Sequence, residues 1–346
     1  MKRNVVLIAS LVFLVAVFAG CGSSRTAAFA APASVPPGPQ DVKPTIPRQP
    51  LLILSAAVGS PSAQLVTLYQ DTWNQHIPGL RVSNEPGNMA QNMQNIHTEY
   101  AEMGTVSTLI AYPGLYGLDW ADGTKYDRVA GMLPMFRFEM VFVTKASRND
   151  INSLSDLNGK ALAIGVIGSG ADTTGRQLVD FFNINTSQLI NGSWTDIGVQ
   201  FSDNLVDAVF YVGANPVSFL QEIELTTELK YFELTDSEFD RFIGKYPYYS
   251  AGYLPANTYA HQTTDYKGLT GWNTVVCSPD LDDDLVYLLV RTIFDNLGPI
   301  HTAHPDFSHV SLESVKYLIA PALHPGAERY YRDVGAELPV PAAPPN

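Results

Sequence analysis

The sequence predicts an α/β protein built as two lobes. Three observations carry that prediction. Apolar runs of strand length alternate with stretches of helical spacing, the alternation occurs twice, and 346 residues fit two lobes of about 100–150 residues each. An apolar content of 46% with 11% aromatics supplies the core and excludes general disorder. With 21 Lys and Arg against 34 Asp and Glu the net charge is −13, which disfavours nucleic acid and anionic membrane surfaces as partners.

The elements follow in order. Residues 51–57 are a continuous apolar run ending in Val58-Gly59-Ser60-Pro61, a buried strand and its turn. Ser62 caps a helix to Gln75, with Ala63, Val66 and Tyr69 at helical spacing, and Pro78-Gly79 stops it. A strand at 80–85 precedes a helix capped by Asn88 with the stripe Met89, Met93, Ile96 and Tyr100; 105–111 is the next strand. Such alternation implies parallel pairing with helices on the faces. Residues 129–144 hold two further apolar runs, broken at Pro134. The second lobe repeats the pattern: a strand at 160–165, a helix at 172–182, and a strand at 207–212 followed by a helix opened by Pro216. A strand at 229–233 and a helix from Asp236 to Lys245 complete it. Residues 272–276 are strand-like, and a long helix runs from Pro279 through Asn296.

The N-terminus sets the compartment. Lys2 and Arg3 precede an apolar stretch at 5–18, too short for a bilayer span and suited to a signal peptide. Ala19-Gly20-Cys21 resembles a bacterial lipobox, with Phe18 where Leu is usual; an ordinary secretory signal with an incidental cysteine is the alternative. Acylation of Cys21 would anchor the chain to a membrane. Residues 22–50, rich in Ser, Ala, Pro and Gln, read as a semi-rigid tether, and the proline-rich residues 336–346 as a flexible tail. Of the two cysteines, Cys277 then has no partner and reads as a small buried hydrophobe.

The glycine turns are the places where chemistry is expected. A strand ending at Gly165 runs through Gly168-Ser169-Gly170 into a helix, a geometry whose free N–H groups attract an anion. A phosphate loop fails because Ala171 and Asp172 stand where Lys and Ser/Thr are needed, and a dinucleotide fingerprint fails at Thr173. No Gly-x-Ser-x-Gly elbow occurs, the seven histidines form no metal-binding pair, and Asp282-Asp283-Asp284 lacks the spacing of a calcium loop. Neither catalysis nor a metal or other cofactor is expected.

Several blocks resemble the TAXI family of TRAP-transporter solute receptors. These are Leu154-Ser-Asp-Leu-Asn-Gly-Lys160, Gly168-Ser-Gly170 with Thr174-Gly-Arg-Gln-Leu178, and Asp207-Ala-Val-Phe-Tyr-Val-Gly-Ala-Asn-Pro216. Also similar are Leu254-Pro-Ala-Asn-Thr-Tyr259, His304-Pro-Asp-Phe307 with His309-Val-Ser-Leu312, and Leu323-His-Pro-Gly-Ala-Glu-Arg-Tyr-Tyr-Arg-Asp-Val-Gly335. The resemblance implies a type II periplasmic-binding-protein clamshell with a hinge, the second lobe (141–250) inserted into the first (51–140 and 251–335). It implies a monomeric extracytoplasmic receptor, in the periplasm or at the cell surface. Such a receptor captures a small organic anion between the lobes and delivers it to TRAP membrane subunits. Before residue 130 the ligand-facing turns depart from the family pattern, and Ala171 replaces a threonine, so the role carries over and a named substrate does not.

On this reading Gly168, Ser169 and Gly170 hold a ligand carboxylate, Gly213 and Asn215 line the next turn, and Asn215 reads a carbonyl or hydroxyl. Ser60, Asn88 and Tyr112 complete the cage from the first lobe. The alternatives are a receptor for an ATP-driven importer, a sensory lipoprotein, and a secreted enzyme acting on a small anion.

Overall fold

A computed structural model describes residues 36–345 apart from Ala57; the stretch read as a signal peptide, Cys21 and residues 22–35 lie outside the described residues. Strand β1 (Leu51–Leu54) leads to helix α1 (Pro61–His76). The cap of α1 is Ser60, not the expected Ser62: its hydroxyl accepts the Ala63 N–H at 3.2 Å, and Pro61 takes the first helical position, where no N–H partner is needed. Strand β2 (Val82–Glu85) and helix α2 (Met89–His97) follow, with Asn88 as cap.

Strand β3 (Met103–Ser107) is shorter than expected, because the chain turns at Ser107 into helix α3 (Thr108–Tyr116). An apolar run with Pro113 inside it carries no helical periodicity, and that hid the helix. Strand β4 (Ala130–Lys145) continues straight through Pro134. Pro134 faces Thr274 where the ladder shifts register, a place where a strand tolerates a missing N–H.

The second lobe contains β5 (Ala161–Ala163), α4 (Gly170–Phe181), β6 (Gln188–Ile190), α5 (Trp194–Ser202) and β7 (Ala208–Gly213). It continues with α6 (Ser218–Glu224), β8 (Leu229–Phe232) and α7 (Asp236–Lys245); β9 (Ser250–Leu254), expected in the first lobe, packs through Leu254 into the core around Ile197 and Phe201. The short β6, α5 and β9 escaped the sequence reading. Strand β10 (Tyr266–Cys277) returns to the first lobe, which ends with α8 (Asp283–Phe294), α9 (Leu297–Ala303) and α10 (Pro325–Asp333). Asp282, not Pro279, opens α8, its carboxylate accepting the Leu285 N–H at 2.9 Å.

The α/β prediction holds. One ten-stranded sheet runs β2-β1-β3-β10-β4-β7-β5-β6, with β8 on β4 and β9 on β10. Pairing is parallel among β1, β2 and β3 and among β5, β6 and β7, while β4 and β10 are antiparallel to their neighbours. Each of the two long strands serves both lobes. Residues 130–139 of β4 pair with β10 and residues 139–144 with β7; residues 273–277 of β10 pair with β3 and residues 266–270 with β9.

One core packs α1, α8 and α10 through Leu65, Trp73, Leu289 and Tyr331, and Cys277 is buried there. A second lies under α5 and α6 around Ile197, Phe201 and Leu220. A third is continuous from Met93 and Tyr112 to Leu178 and Phe242, so it spans both lobes.

The ends of the described chain are fastened. Residues 36–50 form no helix or strand, yet the Gly38 N–H donates to Asp333 O at 2.8 Å and the Gln40 N–H to the Tyr287 hydroxyl at 2.6 Å. At the C-terminus the Ala342 N–H donates to Ile319 O at 2.9 Å, and the Tyr112 hydroxyl donates to Ala343 O at 2.6 Å.

Candidate functional site

Strands β1, β2, β3 and β5 each run into a helix, and the four helix starts border one cavity of about 640 Å³. Ligand sites outside the carboxyl ends of strands are the rule for open α/β sheets. The first lobe contributes Pro61, Ser62, Asn88, Met89, Ser107, Leu109, Ile110, Asp119 and Trp120. The second contributes Gly168, Gly170, Thr173, Gln177, Gly213, Tyr248 and Tyr249, and the joining strands Phe136, Phe138 and Asn273. The volume falls within the range of about 300–1,000 Å³ that suits a small organic ligand.

The glycine turn is already occupied by its own chain. The Asp172 carboxylate accepts the Gly168 N–H at 2.9 Å, the Arg176 Nε–H at 2.8 Å and the Asn191 amide at 2.9 Å. Burial opposes its charge, but those donors together hold the Asp172 carboxyl below its usual value. Gly165 must be glycine, with φ at +73° and a Cβ that would meet Trp194 at 2.8 Å. The Ser169 hydroxyl caps α4 by accepting the Asp172 N–H at 3.2 Å, and the Ser169 N–H donates to Val166 O at 3.0 Å. Across residues 168–171, the Gly170 and Ala171 N–H groups have no partner among the described residues.

Of the residues expected to bind ligand, Asn88, Gly168, Gly170 and Gly213 line the cavity; Ser60, Tyr112, Ser169 and Asn215 do not. Ser60 and Ser169 are spent on helix caps. Asn215 donates to Gly213 O at 3.0 Å and accepts the Tyr259 hydroxyl at 2.6 Å, which fixes its amide inside the second lobe. Tyr112 is buried between the rings of Tyr116 and Tyr248, at centroid distances of 4.7 and 4.9 Å, so it supports the wall behind Tyr248.

The structure adds residues that the sequence reading missed. Trp120 is held by stacking on Tyr126 at 5.3 Å and by its Nε1–H donating to Ile110 O at 3.1 Å. Gln177 accepts the Tyr249 hydroxyl at 2.6 Å and donates to the Tyr248 hydroxyl at 3.2 Å, while Thr174 and Tyr249 lie 2.9 Å apart. Burial raises both tyrosines above their usual pKa, so they line the cavity as neutral phenols. Fully buried Asn92 donates to Leu54 O, Ser55 O and Thr105 O at 3.2, 2.7 and 3.0 Å, tying the ends of β1 and β3 together under the cavity.

Among the described residues no lysine, arginine or histidine lines the cavity; its one acid, Asp119, keeps solvent contact, and partial desolvation moves its pKa up. The charges at the lobe crossing lie elsewhere. Arg137 Nε sits 2.6 Å from the Glu139 carboxylate, and burial pushes Glu139 up in pKa despite Arg137. Phe136 and Phe138, the neighbours of Arg137 along the strand, line the cavity. Strand alternation separates the two sets.

A family model described as NMT1-like matches residues 62–335, from the start of α1 to the end of α10. The chain belongs to the NMT1-like family. Among solved structures, this NMT1-like chain is similar to a TctC solute-binding protein from Polaromonas crystallised without ligand, at 13% identity over 72% of this chain and 85% of that one, TM-score 0.49. It is similar to a periplasmic sulfonate-binding protein, SsuA, from Methylobacillus flagellatus, at 13% identity over 72% and 69% of the two chains, TM-score 0.45. A Streptococcus mutans structure titled for glutathione import via GshT matches at 11% identity over 75% and 96%, TM-score 0.44.

Proposed function

We propose that this chain is an extracytoplasmic solute receptor that captures a small organic molecule between its lobes and delivers it to a membrane transporter. The observation that carries the reading is the cavity of about 640 Å³, lined from both lobes and from the two strands that join them. A ligand touching both walls favours a closed arrangement, and β4 and β10 are the connections about which closure would occur. No catalytic step belongs to this reading.

The TRAP-type partner rests on the TAXI-like blocks between Leu154 and Gly335, and attachment to a membrane rests on the apolar run at 5–18 ending in Cys21. The cavity gives little support to an anionic ligand, because its lining offers no cation and Asp172 holds the Gly168 N–H. The receptor role does not depend on the ligand's charge. A receptor for an ATP-driven importer would use the same cleft.

The test is a thermal-shift screen of metabolites on the purified chain, with scattering to follow its radius of gyration. A specific ligand at a hundredfold excess over its Kd should add about 2.7 kcal/mol of stability and contract the molecule. A broad screen with neither effect contradicts the reading. Uptake of the hit that requires both this chain and a TRAP permease decides the partner.

A further inference from the structure

Two polar side chains at the bottom of the cleft have no work inside the protein. Ser107 and Asn273 face each other across the β3–β10 ladder, both are 5% exposed, and both line the cavity. Ser107 stands at the cap position of α3, but its hydroxyl makes no capping bond. Neither side chain makes a hydrogen bond to another described residue, and the polar atoms of both stay open to the cavity rather than sealed in the core. Asn273 also lies where the β10–β4 register shifts, between Trp272 opposite Arg137 and Thr274 opposite Pro134. Such irregularities re-aim side chains beside functional sites. A ligand group that pairs with them gains hydrogen bonds in a cleft whose other walls are apolar, where such bonds are stronger than in water.

The surroundings limit what that group can be. The neighbouring walls are Phe136, Phe138, Leu109, Ile110, Trp120 and Tyr248. No basic side chain lines the cavity among the described residues, and the chain's net charge is −13, so an anion would meet helix starts and the Gly170 and Ala171 N–H groups but no countercharge. The one lining acid, Asp119, is exposed, while the buried pair is neutral. An asparagine amide offers two donors and an acceptor, and a serine hydroxyl offers one donor and accepts. That set matches a carboxamide or hydroxy-carbonyl group.

We propose that Ser107 and Asn273 are the reading pair of the cleft, and that its ligand is an uncharged, largely apolar or aromatic molecule carrying one amide-like or hydroxy-carbonyl group. This rests on the receptor reading given above and names its ligand class.

The experiment is calorimetric titration of the full chain with matched probes differing in charge: benzamide, benzoate and benzylamine, then indole-3-acetamide, indole-3-acetate and tryptamine. The amides should bind about tenfold or more tightly than the acids and amines. Asn273→Ala and Ser107→Ala should each weaken the better amide by about fivefold to tenfold, the worth of a neutral hydrogen bond to a desolvated partner. Their unliganded melting temperatures should stay at the parental value, which separates lost recognition from lost folding. Acids or amines binding more tightly than amides overturns the proposal while leaving a receptor. So does an amide affinity that stays within twofold in both variants. Failure of every probe also overturns it; the receptor reading falls only if the broad metabolite screen is blank as well.

Discussion

The glycine turn of the second lobe and the strand pair of the first lobe are both polar and both border the cleft, yet they are in opposite states. At the turn, Gly168, Arg176 and Asn191 all donate to Asp172, and Ser169 is consumed by a cap. At the strand pair, Ser107 and Asn273 are buried and uncommitted. A helix start rich in glycine advertises an anion site in any sequence, but a carboxylate a few residues on can fill it from within. Uncommitted polar atoms open to a cavity are therefore the stronger pointer to a ligand than a favourable dipole.

The largest effect that would sharpen this contrast is Asp172→Ala. It removes a side chain only 9% exposed and strands three donors, so it should cost about 3 kcal/mol in denaturant unfolding. The emptied turn should then bind acetate measurably, and the parent should not. Unchanged stability would mean that the turn is not held by its acid.

Acid should act on the two lobes over different ranges. Burial and the Arg137 charge lower His309 to a pKa of about 4. The unfolded chain takes up that proton near the usual histidine value of about 6.5, so it binds more protons than the native state between the two values. Stability should therefore decline as pH falls from about 6.5 to about 4, a drop of roughly a few degrees in melting temperature that His309→Gln should lessen, since burial also lowers His324 and leaves its share in place. Asp172, held below its usual carboxyl value, adds stability above the ordinary carboxylate range that is lost only as pH falls beneath it. A single acid transition below pH 4 with no earlier slope would contradict the assignment of His309.

Smaller effects follow. Ser169→Ala removes a helix cap and should cost about 1 kcal/mol by denaturant titration. Asn273→Ala removes no internal hydrogen bond and should alter stability by less than about 0.5 kcal/mol, the ordinary range for a change away from structural networks. A loss of several kcal/mol would show that Asn273 serves the fold.

Much of the fold was legible because short apolar runs alternate with periodic ones, as β1–α1–β2–α2–β3 shows. The errors have physical causes. Ser107 ends β3 although the apolar character runs on to Ala111, and only tertiary packing distinguishes a buried helix from a buried strand there. Pro134 reads as a break, but the ladder shifts register beside it. The candidate site was less legible. The turn at Gly168-Ser169-Gly170 was visible, whereas Asn191 reaches Asp172 from another element, and Ser107 meets Asn273 only through sheet pairing. In hindsight, one local signal was present for the latter: an asparagine within the apolar run from Trp272 to Val276.

The most direct single measurement is the affinity of indole-3-acetamide for Asn273→Ala and Ser169→Ala side by side with the parent. Binding weakened about fivefold or more in the first and left within twofold in the second is the predicted outcome. The reverse pattern would return recognition to the glycine turn and contradict the account.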